Sequence, residues 1–189
     1  MMLKPTCFTD TLVFLLFLGT GMASAATSVP ITFDSLVRQS DYVVYGRVVA
    51  NRSYWEPATG AIWTQTTFLV LDRPKGGSGS TILISEPGGT VGSVGHLIPG
   101  IPRFETNQEV VLFLYNAPGR HIRVLGLQQG IYRVALDPAT GARVANPLLQ
   151  QRVAVYSEGL TLSHHSHPTP VPRRLSEFLY VIREKAGAR

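Results

Sequence analysis

Hydrophobic positions recur along this chain at two spacings, and the spacing changes twice. Phe33, Leu36 and Val37 share one face at helical spacing, and Thr32 or Asp34 is placed to accept a backbone N–H in the first turn. A short amphipathic helix is expected there, ending at Asp41. Strand patterns then take over. Residues 42–50 are rich in β-branched and aromatic side chains, and Gly46 inside that run marks a bulge or sharp coil of the kind a small barrel needs to close. Residues 56–60 turn through Pro57 and Gly60 into a second strand, 62–71, which alternates at first and ends as a continuous apolar run. Residues 74–80 turn into a short third strand, 81–85. The run 109–115 reads as the most buried strand, with Val111 and Phe113 facing a core. Asn116 to Gly119 turn it, 122–127 give a further strand, and 130–136 alternate, turn through 137–141 and pair with 142–144. Five to seven short strands with regular turns predict a mainly β domain, a small barrel or sandwich.

Two segments break this rhythm. Residues 87–103 hold glycines at 89, 92 and 95 but no Gly-Lys-Ser/Thr, and no helix pattern opens there to offer amides to a phosphate. The segment reads as a long ordered surface loop and a candidate recognition element, with Gly89, Gly92, Gly95 and His96 as its binding candidates. Later, residues 163–172 form a polar, Pro-rich stretch, after which Leu175, Phe178, Leu179 and Ile182 return to helical spacing with charged residues around them. That stripe predicts an amphipathic helix folded back on the β domain; a helix lying on an anionic membrane surface is the alternative.

The N-terminus carries a different signal. Lys4, the apolar run 12–18 and the small-residue pattern Ala23-Ser24-Ala25 have the order of a secretory signal peptide cleaved after Ala25. The run is too short for a membrane span of ~20 apolar residues. The expected division is therefore 1–25 signal peptide, 26–147 β domain, 148–172 polar linker and 173–189 helix, exported to the periplasm or the medium. The single cysteine, Cys7, falls in the signal. The mature chain is then disulfide-free, without a thiol nucleophile or thiolate ligand, and depends on packing for stability. The chain has 17 Lys and Arg against 12 Asp and Glu, net +5. Mild basicity is ordinary for solubility and favours anionic partners, while nucleic acid is a poor match for an exported chain without a basic run.

Three segments resemble a known group of proteins. They are residues 36–48, from Leu36 to Val48; residues 84–89, Ile84-Ser85-Glu86-Pro87-Gly88-Gly89; and Pro102-Arg103-Phe104 leading into Val110 to Leu114. Together they resemble a family of uncharacterised exported bacterial domains that look like OB-type barrels and occur alone or near secreted metalloproteases. The resemblance implies an OB-like five-stranded, or slightly larger, antiparallel barrel. The start Ala26-Thr27-Ser28-Val29-Pro30, with Ser40-Asp41 and the strand after it, is similar to the netrin-like inhibitory domain of the tissue inhibitors of metalloproteinases. In that family the amine and carbonyl of the first residue chelate the protease zinc and the second residue enters the specificity pocket. The resemblance would give those roles to Ala26 and Thr27, although every cysteine of the family pattern is missing here.

No catalytic motif emerges. H-E-x-x-H is absent, the carboxylates do not pair, and neither Ser85 nor Ser93 sits in G-x-S-x-G. His164, His165 and His167 are weak metal-ligand candidates in a Pro-rich linker with no carboxylate to orient them. Tyr54, Trp55 and Trp63 offer either an aromatic platform or ordinary strand packing. The reading is a non-enzymatic binding or accessory module without a cofactor. Its partner is a protein or polysaccharide of the envelope or medium, a secreted metalloprotease among the candidates. Zinc-directed inhibition and an unrecognised hydrolase are the alternatives. A hydrolase requires His96 or His121 to meet a carboxylate in a pocket.

Overall fold

Thr32 caps the first helix, α1 (Phe33–Gln39): its hydroxyl accepts the Ser35 N–H at 3.2 Å, satisfying one of the amides left free at a helix start. Asp34, the other expected cap, lies in the first turn and pairs with Lys185 at 2.8 Å. The computed structural model describes residues 30–148 and 173–187. The expected signal peptide, Ala26, Thr27 and the cluster His164, His165 and His167 lie outside the described residues.

Two long strands follow, β1 (Tyr42–Glu56) and β2 (Ala61–Lys75), then β3 (Thr81–Pro87), a small hairpin of β4 (Gly89–Val91) and β5 (Val94–His96), β6 (Glu109–Ala117), β7 (His121–Val124), β8 (Ile131–Leu136), β9 (Arg143–Pro147), β10 (Arg173–Arg174) and helix α2 (Leu175–Gly187). Among the described residues the chain is mainly β, with two α-helices. The large sheet is antiparallel and runs β10-β9-β8-β6-β1-β2-β3, with β7 added beside β6.

Strand β6 shows why the run 110–114 is apolar without a break. Val110, Leu112 and Leu114 face one core with Val44, Val48, Phe68, Ile84 and Ile131. Val111 and Phe113 face a second core with Leu36, Val37, Tyr132 and the α2 residues Leu175, Phe178, Leu179 and Ile182. Alternate side chains on one strand thus serve both layers. The amphipathic stripe of α2 docks on the sheet, and each such buried side chain stabilises by about 1.5–3 kcal/mol before entropic cost. Phe178 lies 4.6 Å from Tyr132 and 5.4 Å from Phe33, ring centre to ring centre.

Gly46 is a true irregularity. The β1–β2 register shifts between Tyr45 and Gly46, and a Cβ at Gly46 would stand 2.6 Å from the Leu69 carbonyl oxygen. Only a residue without a side chain permits that approach.

The expected closed barrel is not what forms. The first half of β6 pairs with β8 (Val110↔Arg133 to Leu112↔Ile131), and its second half pairs with β7 (Leu114↔Val124 to Ala117↔His121) along the same edge. Strands β8, β9 and β10 therefore leave with the helices, while β7 comes to lie against β3. No ladder joins β3 to β7. The physical reason is visible at Val124, whose N–H donates to the Glu86 carboxylate at 2.8 Å rather than to a β3 carbonyl. Two further corrections concern boundaries. The segment 87–103 contains the β4–β5 hairpin, and Arg173 and Arg174 pair with Ala145 and Val144 of β9 before the helix starts at Leu175.

Candidate functional site

The two strands of the β1–β2 pair outrun their neighbour. Pairing of β1 with β6 stops at Arg47↔Glu109, but pairing with β2 continues to Glu56↔Ala61. Beyond Val48, side chains on the inner face meet a gap instead of a core. Polar residues occupy that register: Asn51 stands opposite Thr66, and Ser53 opposite Thr64, which in turn stands opposite Glu86 on β3. The β4–β5 hairpin and the segment carrying Arg103 and Phe104 roof the gap into an open groove with a cavity volume of about 650 Å³.

A hydrogen-bond network fixes the walls. The Thr66 hydroxyl donates to Asn51 Oδ1 at 2.7 Å, and Asn51 Nδ2 donates to the Phe104 carbonyl at 2.9 Å. The Thr64 hydroxyl donates to the Gly88 carbonyl at 2.7 Å and lies 2.9 Å from the Ser53 hydroxyl, which accepts the Thr90 N–H at 3.3 Å. Arg103 reaches in from the roof, its Nη1 donating to the Thr64 hydroxyl at 3.1 Å and its Nη2 to the His96 carbonyl at 3.3 Å. Phe104 anchors the roof by packing edge-on against Phe68, ring centres 5.0 Å apart.

Gly89 is demanded by this arrangement. Its φ is +138°, and an added Cβ would collide with the Thr64 and Ser53 hydroxyls. The glycine keeps the two hydroxyls together and holds the hairpin close to β1 and β2.

Glu86 closes one end of the groove. It is buried, and Arg123 donates to its Oε2 from Nε at 3.1 Å and from Nη2 at 2.9 Å, while Val124 N–H takes Oε1. Burial pushes its carboxyl above the ordinary range, against the pull of the Val124 N–H and of Arg123. On the outer side of the same seam, His121 stacks on Trp63 at 4.5 Å and 15°, and the Arg123 guanidinium lies 5.8 Å from the Trp63 ring.

The structure brings Gly89, Gly95 and His96 into the groove lining. Gly92 sits between the two strands of the hairpin, with nothing around it. Tyr54, Trp55 and Trp63 do not make one platform. Tyr54 stands opposite Trp63 in the register and hydrogen-bonds to Ser85, while burial raises its phenol's pKa. Trp55 alternates to the other face and is half exposed. Residues that sequence reasoning missed include Asn51, Ser53, Thr64, Thr66, Glu86 and Arg103. One signal was present: Thr64 and Thr66 fall in the same-face register as the core residues Ile62 and Phe68, and Glu86 continues the buried register of Ile82 and Ile84.

Among the described residues no ion pair joins a histidine to a carboxylate, and no group of three or more His, Cys, Asp or Glu is placed to hold a metal ion. Compared with known proteins, the chain matches no family model, no curated protein and no solved structure.

Proposed function

We propose that this chain is an exported, non-enzymatic binding module of OB-like descent, whose groove receives a segment of an envelope or extracellular polysaccharide or protein. The strand order β3-β2-β1-β6-β7, with β7 lying against β3, supports the OB-like part of the reading. One observation carries the functional part. The groove is open and polar, yet the one carboxylate that lines it among the described residues, Glu86, has both oxygens engaged by Arg123 and Val124. A general acid or base must exchange its proton with a bound substrate within hydrogen-bond reach. Glu86 is committed to holding the seam, and among the described residues His96 in the groove has no carboxylate partner to orient it. Such a surface recognises and retains a ligand. The inhibitor reading rests on Ala26 and Thr27, outside the described residues, and no observation in the groove favours it.

The test offers mature protein to a panel of envelope polysaccharides and extracellular proteins, and measures retention and product release side by side. Retention without turnover is expected, lost on substituting Gly95→Trp to fill the groove. Catalytic release of sugar, peptide or acyl product would replace the binding module by a hydrolase.

A further inference from the structure

We infer that the groove is built for a carboxylate-bearing polysaccharide, a uronate chain, and that Arg103 is the residue that reads the acid. This deepens the binding-module reading and rests on it.

The argument begins with charge. Two arginines and one carboxylate meet around the groove. Glu86 is taken by Arg123, which donates to it twice, and by the Val124 amide. Arg103 is exposed and, among the described residues, makes no ion pair within 4 Å; its charge acts on Glu86 only from a distance, as a minor pull on that carboxyl. Its two contacts, to the Thr64 hydroxyl and the His96 carbonyl, are with neutral oxygens. They fix the guanidinium plane while leaving Nε and one hydrogen on each terminal nitrogen unspent. A planar fork held in place with free donors is the geometry that binds a carboxylate bidentately.

The backbone beneath is shaped for that guanidinium. Gly88 has φ +89°, and a Cβ there would stand 2.5 Å from Arg103 Nη2 and 2.6 Å from the His96 oxygen. Any side chain at 88 would displace the arginine from its seat.

The remaining lining also asks for an acceptor-rich partner. The Thr64 and Thr66 hydroxyls donate to protein oxygens. The donors left over include the second N–H of Asn51, those of Arg103, the Thr90 hydroxyl and the His96 ring N–H. A uronate chain supplies one charged group for the fork and a row of hydroxyl oxygens for the amide. Its C–H faces have apolar surface to rest on, since Leu97, 80% exposed, and Phe104 line the same groove.

The experiment titrates the full chain, as exported, with polygalacturonate and with the same polymer after carboxyl reduction, followed by calorimetry. Carboxyl reduction should weaken binding about tenfold or more, as loss of a charge-assisted pair does. Arg103→Gln should produce the same loss and remove the difference between the two polymers. Arg103→Lys should recover part of the affinity, because charge returns without the fork. Arg133→Gln, a surface charge outside the groove, should change nothing. Because the polymer comparison uses unaltered protein, it decides the matter even if an Arg103 variant folds poorly. Equal binding of both polymers overturns the acid reading and leaves the module. Equal losses from Arg133→Gln and Arg103→Gln overturn it in favour of general charge attraction. Tighter binding of polyglutamate overturns the polysaccharide assignment. Failure to bind any polysaccharide or protein on the panel removes the module itself.

Discussion

Glu86 on β3 and Arg123 on β7 meet at 2.9 Å across a seam that no backbone ladder closes. The pair does what strand pairing does elsewhere in this sheet, and it leaves the groove end fixed by side chains. A buried ion pair of this kind is a weak source of net stability but is costly to break from one side. Glu86→Ala leaves Arg123 and the Val124 amide without an acceptor and should cost about 3 kcal/mol in urea denaturation. Glu86→Gln keeps an oxygen for the amide and should cost less, about 1–2 kcal/mol.

The same carboxylate gives a pH dependence of defined sign. Burial raises the Glu86 pKa in the native state, so the native protein holds that proton more tightly than the unfolded chain. Its contribution is therefore greatest in acid and is lost as pH rises through the raised native value. The stability difference between native protein and Glu86→Gln should shrink as pH rises above the ordinary carboxyl range of about 4. A difference that grows as pH rises would mean that pairing with Arg123 outweighs burial.

Phe113 is fully buried, with Phe33 edge-on at 6.1 Å and Tyr132 at 5.8 Å. Phe113→Ala should cost ~3–5 kcal/mol by equilibrium unfolding. A loss below ~1 kcal/mol would remove β6 from the centre of the molecule.

Helix α2 carries four buried side chains of the second core, and Arg183 pairs with Asp72 of β2. A chain cut after Pro147 exposes that core and should melt at a lower temperature. Phe178→Ala should reproduce most of the effect, ~3–5 kcal/mol. Unchanged melting, with vesicle binding confined to the full chain, would assign the helix to a membrane instead.

Export predicts a mature chain starting at Ala26, checked by N-terminal sequencing of secreted protein. Material starting at Met1 in the cytosol would end the exported reading. Adding one Ala before Ala26 moves the terminal amine by ~3.5 Å, well beyond a zinc–nitrogen bond of ~2 Å. Both starts are expected to leave secreted zinc proteases active, because the sequence has no cysteine after Cys7 with which to clamp the first residues. Inhibition by the native start alone would restore the inhibitor reading.

Local chemistry settled a good part of this molecule in advance. Thr32 before Phe33, Leu36 and Val37 set a capped helix. The unbroken run at Val110 to Leu114 announced a strand buried on both faces, and Gly46 announced a bulge. The stripe from Leu175 to Ile182 announced a docked helix. These features follow from spacing and side-chain type within a few residues, so the sequence alone determined them. Which strand edges met, and whether they closed, depended on contacts far apart in the chain. Glu86 and Arg123 are 37 residues apart, as are Arg38 and Lys75, whose ammonium caps the end of α1 through the Arg38 carbonyl. The groove arises where β1 and β2 outrun β6, a difference in strand length that appears only once the three strands lie side by side. Asn51, Ser53, Thr64 and Arg103 are separate polar residues in the sequence. Tertiary structure alone made them neighbours, because the inner face of a strand becomes a core or a groove according to what is laid across it.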